Sequence, residues 1–439
     1  NLRISSDSRK FSEENCFLSL YGENFDSIKF IEEVIQKGAG YILLENRPQN
    51  HERIKELEEK YSNVTFIKSK DIFKFILELG NARSLRFQRN GGKVIGLTGS
   101  NGKTTNKEMI KHLLGFLGDS HVHATKGNLN NQIGVPLTLF ELEDVHQVAV
   151  VEMGTNFPGE IQILADCAKP SFGLITNVGH AHIEFLKSLD GVFEEKTALF
   201  RTIKAKTTKD KVFVINGFDE KLSKLEDKEF TKRLSSSNFK EIKDGFEITL
   251  GNSQYQIKNP TLLGDHQLKN MAQCLLLIHS MFPERGEDLQ RLANSFSPPS
   301  MNRGEIVEKY SRRFYMDAYN ANPSSMKASL HSYLAFLKNQ NLSPSKSLFI
   351  LGDMNELGEN SGGFHEEIGA LLQGLGAGAV VFVGRFASFY QKGFGDKCHT
   401  FPSVKDFEVA FSGLNLGAKE IFVKGSRSLQ LESILDINW

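Results

Sequence analysis

Cysteine is scarce in this chain, and the few that occur stand far apart. Cys16, Cys167, Cys274 and Cys398 are the only four in 439 residues, and no two form a C-x-x-C pair. That spacing excludes a disulfide framework and a cysteine zinc site. It reads the four as buried small hydrophobes in a reducing compartment. A surplus of either charge is lacking too, because 53 Lys and Arg balance 53 Asp and Glu. Without bulk charge, neither nucleic acid nor an anionic lipid surface is an expected partner. No apolar run reaches the roughly 20 residues that a membrane-spanning helix needs. The opening stretch, NLRISSDSRK, holds no apolar signal core and no initiator Met. Internal repeats, low-complexity tracts and coiled-coil heptads are absent as well. The expectation is a cytoplasmic, monomeric enzyme or binding protein.

What is present is alternation. Short β-branched runs trade places with helical patterns along most of the chain, the mark of an α/β fold on largely parallel sheets. KVIGLTG (93–99) reads as a strand entering a glycine turn. In the stretch that follows, Met109, Ile110, Leu113, Leu114 and Leu117 share one helical face. QVAVVEMG, FGLITNVG and KVFVING read as further buried strands, and the pattern restarts after SFSPPSMNRG (295–304) with RFYMDAYN, KSLFILGDMN, GAVVFVG and KEIFVKGS. A single core rarely grows to this length. We therefore expect three domains, at 1–87, 88–299 and 300–439.

GLTGSNGKTTNKEMI (96–110) resembles a nucleotide loop with one residue out of place. The common pattern is G-x-x-x-x-G-K-[ST], which would require glycine where Leu97 stands. A glycine turn between strand and helix lets backbone amides surround phosphate oxygens, and the helix N-terminus adds positive potential. In that reading Lys103 bridges the terminal phosphates and the Thr104 hydroxyl holds Mg²⁺. Glu152 ends the apolar run VAVVE, and a carboxylate at the C-terminal end of a parallel strand points toward the ligand crevice. His180 and His182 follow another strand end, and their place beside the loop favours His182 as a site residue. A protonated amine repels a cation, so sequence chemistry alone makes Lys196 a surface residue. Asn320 and Asn322 before Pro323, and also Asp353, read as turn and helix-cap residues.

Eight stretches then fall in a familiar order. TGSNGKTT, VVEMGTN, ITNVGHAHIEF, EKTALF, GDHQLKN, DAYNANPSSM, LGDMNELG and KGSRSLQLE resemble the motifs of the Mur ligases, ATP-dependent amide-bond-forming enzymes of peptidoglycan synthesis. That family uses a short T-G-x-N-G-K-T loop, which accounts for Leu97. The resemblance implies a three-domain architecture: an N-terminal UDP-sugar-binding domain, a central ATP-binding P-loop domain on a parallel sheet, and a Rossmann-like C-terminal domain that binds adenine and the incoming dipeptide. NNQIGVPLTL, YNANPSSM and LGDMNELG are similar to the branch that adds D-alanyl-D-alanine to a UDP-N-acetylmuramoyl-tripeptide.

The resemblance also implies roles. Gly99, Asn101, Gly102, Lys103, Thr104 and Thr105 would hold ATP, with Asn216 and Asn270 at the nucleotide. Arg303, Asp317, Tyr319, Asn320 and Asn322 would close over adenine and ribose. Two Mg²⁺ ions would be served by Thr104, Glu152, His182 and a carbamylated Lys196. Lys103, His182 and Lys196 would be the catalytic set. Ser8, Arg9, Thr125, Asn130, Asn131, Lys424, Ser426 and Arg427 would bind the amino-sugar nucleotide and peptide. His365 fits the family pattern without an implied role. The chain departs from the pattern in two places: ENFDSIKF (23–30) lacks Gly-His after Asp26, and Gln267 stands where Asn is frequent. Other readings of the same loop are a family ligase with a different amine, a P-loop kinase or NTPase that needs no amine, and a nucleotide-gated binding protein with a dead site.

Overall fold

The computed structural model describes residues 3–9, 11, 15–22, 25–243, 245–298, 302–414, 416–437 and 439. Three main sheets follow one another along the chain. The first is parallel and runs in sequence order: β1 (Ile4–Ser5), β2 (Cys16–Leu18), β3 (Tyr41–Glu45) and β4 (Thr65–Ser69). Helix α1 (Ile72–Arg89) follows, started by the Asp71 carboxylate, which accepts from Lys74 N at 2.9 Å. Residue 87 lies in the last turn of this helix, and the helix body leans on the central module. Asn81 donates to the Asp166 carbonyl at 2.7 Å, and Ser84 to the Ala168 carbonyl at 2.5 Å. At Gly80 an added Cβ would lie 2.9 Å from Cys167 Sγ, so the close approach needs glycine. The second expected boundary, between 299 and 300, lies outside the described residues.

The central sheet has six parallel strands: β5 (Lys93–Thr98), β6 (Val122–Ala124), β7 (Val148–Glu152), β8 (Phe172–Ile175), β9 (Val212–Asn216) and β10 (Thr231–Leu234). Their spatial order is β10-β9-β8-β5-β7-β6, so β5 lies inside the sheet with later strands on both sides. Alternate residues feed two cores. Ile95 and Leu97 pack with Met109, Ile110 and Leu113 of α2 (Lys103–Leu113), while Val94 packs with Leu199 and Ile203 on the opposite face. The opposite-face core is covered by α3 (Glu160–Ala168) and α4 (Leu189–Lys204). Helix α5 (Asp265–Met281) joins α2 on the first core, and a three-stranded antiparallel sheet over 239–258 completes that side.

The C-terminal sheet also has six strands: β11 (Glu305–Lys309), β12 (Arg312–Asp317), β13 (Ser347–Gly352), β14 (Ala379–Val383), β15 (His399–Phe401) and β16 (Glu420–Lys424). The order is β11-β12-β16-β13-β14-β15; only the β11–β12 pair is antiparallel. Cores lie on both faces, one of them under α6 (Pro323–Asn339) and α7 (Ser361–Gly374). Cys16, Cys167 and Cys274 are buried as expected, and Cys398 is partly exposed. Among the described residues, no helix is long and apolar enough to cross a membrane.

Candidate active site

The loop after β5 is shaped by a residue that must have no side chain. Gly99 has φ +152°, and a Cβ there would meet Thr176 Oγ1 at 1.8 Å. Leu97, the residue out of pattern, is fully buried in β5 opposite Glu152 of β7. The loop therefore begins two residues after it, and Leu97 belongs to the core. Asn177 fastens the turn: its carbonyl accepts from Ser100 N and its Oδ1 from Asn101 N, both at 3.0 Å. Gly102, at φ +78°, is the N-cap of α2 and supplies no capping oxygen. The first-turn amides of Lys103, Thr104 and Thr105 are thus left for an anion at the positive end of the helix.

Glu152 stands beside that turn and is 1% exposed. Its Oε1 accepts from Asn130 Nδ2 at 2.9 Å and from Thr104 Oγ1 at 3.3 Å. Its amide donates to Thr125 Oγ1 at 3.0 Å. Its Oε2 is buried with no hydrogen-bond partner. A bare carboxylate oxygen next to a threonine hydroxyl and a phosphate loop fits Mg²⁺, which takes oxygen ligands and completes its shell with phosphate. No group of three or more His, Cys, Asp or Glu able to hold a metal occurs among the described residues. An ion at Glu152 therefore needs oxygens from a ligand.

Lys103 lies beside this carboxylate, and Lys196 lies within electrostatic reach of Lys103. Lys103 donates to the Gly99 carbonyl at 2.8 Å. Desolvation pushes its ammonium pKa down, and Glu152 pulls it partly back. Lys196 corrects the sequence expectation of a surface residue: it lies on the inner face of α4, 1% exposed. Burial, and then the charge of Lys103, hold its pKa well below the ordinary lysine value. Among the described residues none accepts a hydrogen bond from its Nζ. A buried neutral amine is the form that adds CO₂, so the surroundings of Lys196 fit a carbamate. The neighbouring Glu195 is already spoken for by Thr155 Oγ1, Gly159 N and Ile161 N at 3.1, 2.6 and 2.7 Å.

The facing wall comes from the C-terminal module. The Arg303 guanidinium lies 3.8 Å above the Tyr319 ring, and its buried Nε has no partner. Lys424, 1% exposed, donates to Asp317 Oδ2 at 2.7 Å and to the Asn320 carbonyl at 2.9 Å. Asn322 caps α6 by accepting from Ser325 N at 2.9 Å, as the turn reading expects. It also reaches across the modules: Asn322 Nδ2 donates to Asn101 Oδ1 at 2.7 Å, and Asn101 Nδ2 returns a bond at 3.3 Å. Asp353 differs from its expected cap role, since it accepts from Arg385 N and Phe386 N, both at 3.0 Å, in the next loop.

The two walls enclose a cavity of about 410 Å³. Asn101, Gly102, Lys103, Thr104 and Thr105 line it together with Asn130, Asn131, Glu152, His182 and Asn270. From the other side come Arg303, Asp317, Tyr319, Asn320 and Lys424. His182 has φ +56°, and its Nδ1 is 2.6 Å from Glu356 Oε2 of the C-terminal module. That contact holds the Glu356 carboxyl below the usual range.

Other expected residues stand behind or away from the cavity. Gly99 and Thr125 support Lys103 and Glu152 from behind. Asn216 is buried, donating to the Thr176 carbonyl at 2.9 Å beneath the loop. Ser426 is also buried and accepts from Asn355 N at 3.0 Å. Arg427 pairs with Glu432. In the N-terminal module, Arg9 pairs with Asp7 at 2.9 Å, and the Ser8 carbonyl accepts from Lys37 Nζ at 2.7 Å. His180 packs its ring on Phe364 at 5.3 Å.

Several residues at the site were not singled out from the sequence, three of them ionisable side chains. His266 and Glu160 line the cavity, and Glu356 touches His182. His266 and Glu356 sit inside GDHQLKN and LGDMNELG, stretches quoted above for other residues. Glu160 is an N-terminal acid of α3, a pattern that reads as helix chemistry.

His365 has a structural task. Its Nε2 accepts from Met354 N at 2.9 Å, and Nδ1 faces the Ser361 carbonyl at 2.6 Å, which selects the neutral ring with Nδ1 protonated. Burial depresses its pKa from 6.5 to about 4. The unfolded chain takes up the proton first, so the stability contribution is full above pH 6.5 and is lost as pH falls toward 4. The loss is expected to reach about 3 kcal/mol. Denaturant midpoints against pH should show it, and His365→Gln should flatten that segment of the curve.

Comparison with known proteins gives one answer along the whole chain. Residues 97–278 match the Mur ligase middle domain, and residues 302–427 match the Mur ligase glutamate ligase domain. A Bacillus subtilis protein named UDP-N-acetylmuramoyl-tripeptide–D-alanyl-D-alanine ligase is 30% identical, covering 98% of this chain and 92% of that one. A Synechocystis protein of the same name is 32% identical, covering 85% of this chain and 77% of the relative. The crystal structure of MurF from Acinetobacter baumannii superposes with a TM-score of 0.82 at 26% identity, over 99% of this chain and 92% of that one. MurF from Thermotoga maritima, solved with ADP, shares the fold with a TM-score of 0.77 at 24% identity, over 99% and 96% of the two chains. With two family domains in register and relatives matched from end to end, the chain belongs to the Mur ligase family.

Proposed function

We propose that the protein uses ATP to join D-alanyl-D-alanine to the terminal carboxylate of a UDP-N-acetylmuramoyl-tripeptide, giving the pentapeptide precursor of peptidoglycan, ADP and phosphate. One observation carries the reading: the uncapped N-terminus of α2, the bare Glu152 oxygen and the C-terminal wall enclose one cavity. The relatives that match end to end bear the name of this reaction.

A carboxylate does not acylate an amine at neutral pH, because oxide is a poor leaving group. The γ-phosphoryl group of ATP passes to the substrate carboxylate and forms an acyl phosphate. The dipeptide amine attacks the acyl carbon, a tetrahedral intermediate forms, phosphate leaves and the amine loses its proton. No bond to the protein is made. Its residues position and neutralise.

Gly99 to Thr105 wrap the phosphates with amides, and Lys103 leaves the Gly99 carbonyl to bridge them. Asn216 holds the floor of the loop, and Asn270 packs against Gly102. Arg303 and Tyr319 offer a flat cationic face for adenine, with Asp317, Asn320 and Asn322 toward the ribose. Thr104 and Glu152 would hold one Mg²⁺, with His182 and carbamylated Lys196 at a second. Bound there, Mg²⁺ supplies charge that offsets the transferring phosphoryl group. Ser8 and Arg9 serve the uridine end of the substrate. Thr125, Asn130 and Asn131 serve its middle, and Lys424, Ser426 and Arg427 the peptide end. The reading takes the protein as a monomer. Use of ATP and a nucleotide-linked sugar supports a cytoplasmic reaction.

The test is ADP release from a panel of UDP-muramoyl-tripeptides, with and without D-alanyl-D-alanine. Product formation that needs both substrates is expected. Equal ADP release without any amine indicates a kinase or NTPase, and dependence on a single amino acid indicates a different ligase of the family.

A further inference from the structure

The phosphate loop touches the C-terminal module through an amide pair whose orientation is fixed. Asn322 caps α6, so its Oδ1 accepts from Ser325 N at 2.9 Å. That bond turns Nδ2 toward the loop, where it donates to Asn101 Oδ1 at 2.7 Å. Asn101 Nδ2 then faces Asn322 Oδ1 at 3.3 Å. The Asn101 backbone is held by the central module. Its amide donates to Asn177 Oδ1 at 3.0 Å, and its carbonyl accepts from Thr176 Oγ1 at 2.5 Å and from Asn177 Nδ2 at 3.2 Å. Backbone on one side and side chain on the other, Asn101 ties the loop to α6.

A second contact lies beside the first. Ser324, in the first turn of α6, accepts from His180 N through its Oγ at 3.2 Å. Gly179 faces it, and a Cβ there would stand 2.7 Å from Ser324 Oγ and 3.0 Å from Ser324 Cβ. Gly179 is not among the glycines with left-handed backbone, so the tight fit is to the other module. Gly179 is also bonded to the loop: its amide donates to Ser100 Oγ at 2.9 Å, and Ser100 Oγ donates to its carbonyl at 3.0 Å. We propose that Asn322 is a positioning residue for the phosphate loop. Through Asn101, and beside the Gly179–Ser324 fit, docking of α6 sets the turn from Ser100 to Gly102. The inference rests on the reading of that turn as the ATP site. It makes loop geometry and module docking one equilibrium, so loosening the seam weakens nucleotide binding with no nucleotide contact removed at Gly179 or Ser324.

The test uses the full-length protein with two readouts: calorimetric affinity for a non-hydrolysable ATP analogue with Mg²⁺, and small-angle X-ray scattering at saturating analogue. Gly179→Ala places a methyl group against Ser324. It should raise the radius of gyration and weaken analogue binding about 5- to 100-fold. Ser324→Gly removes both atoms that the methyl meets, so adding it to Gly179→Ala should restore both readouts. Asn322→Asp keeps the cap of α6 but sets a carboxylate oxygen against Asn101 Oδ1, and should weaken binding in the same range. Combined with Asn101→Ala it should cost less than the two single losses together. Unchanged affinity in Gly179→Ala and Asn322→Asp, whatever the scattering, overturns the positioning role and leaves the ATP site standing. Weakened binding by Gly179→Ala that Ser324→Gly fails to restore overturns it as well. If Lys103→Ala binds the analogue as tightly as wild type, the ATP-site reading fails, and this inference with it.

Discussion

Lys103→Ala is expected to lower ADP release by about a thousandfold or more. The α2 terminus presents amides and a partial positive charge, but the full charge facing the transferring phosphoryl group from the loop is this ammonium. Comparable single donors and cations at phosphoryl and acyl transfer sites contribute about 10²- to 10⁵-fold. In the free protein the ammonium rests on the Gly99 carbonyl, and desolvation lowers its pKa. Removing it should therefore cost little folding stability, and the thermal midpoint should stay close to wild type. Lys103→Arg is not a conservative replacement, since a planar fork does not fit where a compact ammonium lies four residues from Gly99. Near-normal turnover of Lys103→Ala with D-alanyl-D-alanine would remove the loop from the mechanism.

Lys196→Ala has the second-largest expected effect, a loss of about 10²- to 10³-fold. A buried lysine with a strongly depressed pKa is a poor cation and a good acceptor of CO₂. If the working group is a carbamate, the alanine variant has no amine to modify, so bicarbonate cannot restore it. Formate or acetate can enter the vacated space and supply a carboxylate, and partial recovery with either acid is expected. Stability should move the opposite way. An ionisable group in the core costs free energy relative to an apolar one of similar size. Lys196→Met, measured in CO₂-free buffer, should gain about 1 kcal/mol, or roughly 2 to 4 °C in thermal midpoint. Full activity of Lys196→Ala without additives would take this lysine out of the reaction.

The strands were legible because their apolar runs are short, β-branched and closed by Gly or Asn. FGLI, VFVI and AVVFV each fall where the pattern puts them. The loop was legible because glycine, lysine and threonine follow a strand and precede an amphipathic helix. Lys196 was misread because its chemistry was judged in isolation: a charged amine belongs outside, but burial and the charge of Lys103 hold this one's pKa well below the ordinary lysine value. Nothing local in EKTALF states that its helix face is buried beneath the phosphate loop. Glu356 was missed for a related reason. Its partner lies in a different module, about 170 residues earlier by sequence number, and no periodicity links them. The same holds for the Asn101–Asn322 exchange. Asn322 read correctly as a helix cap, while its second role depends on how the modules dock.

Soaking crystals with Mg²⁺ and a non-hydrolysable ATP analogue gives the most direct test. The triphosphate should lie on the amides from Gly99 to Thr105 with Lys103 turned toward it, and a cation should contact Thr104 and the now satisfied Glu152 Oε2. A nucleotide bound anywhere else, or Glu152 left without a cation at saturating Mg²⁺, would contradict the account.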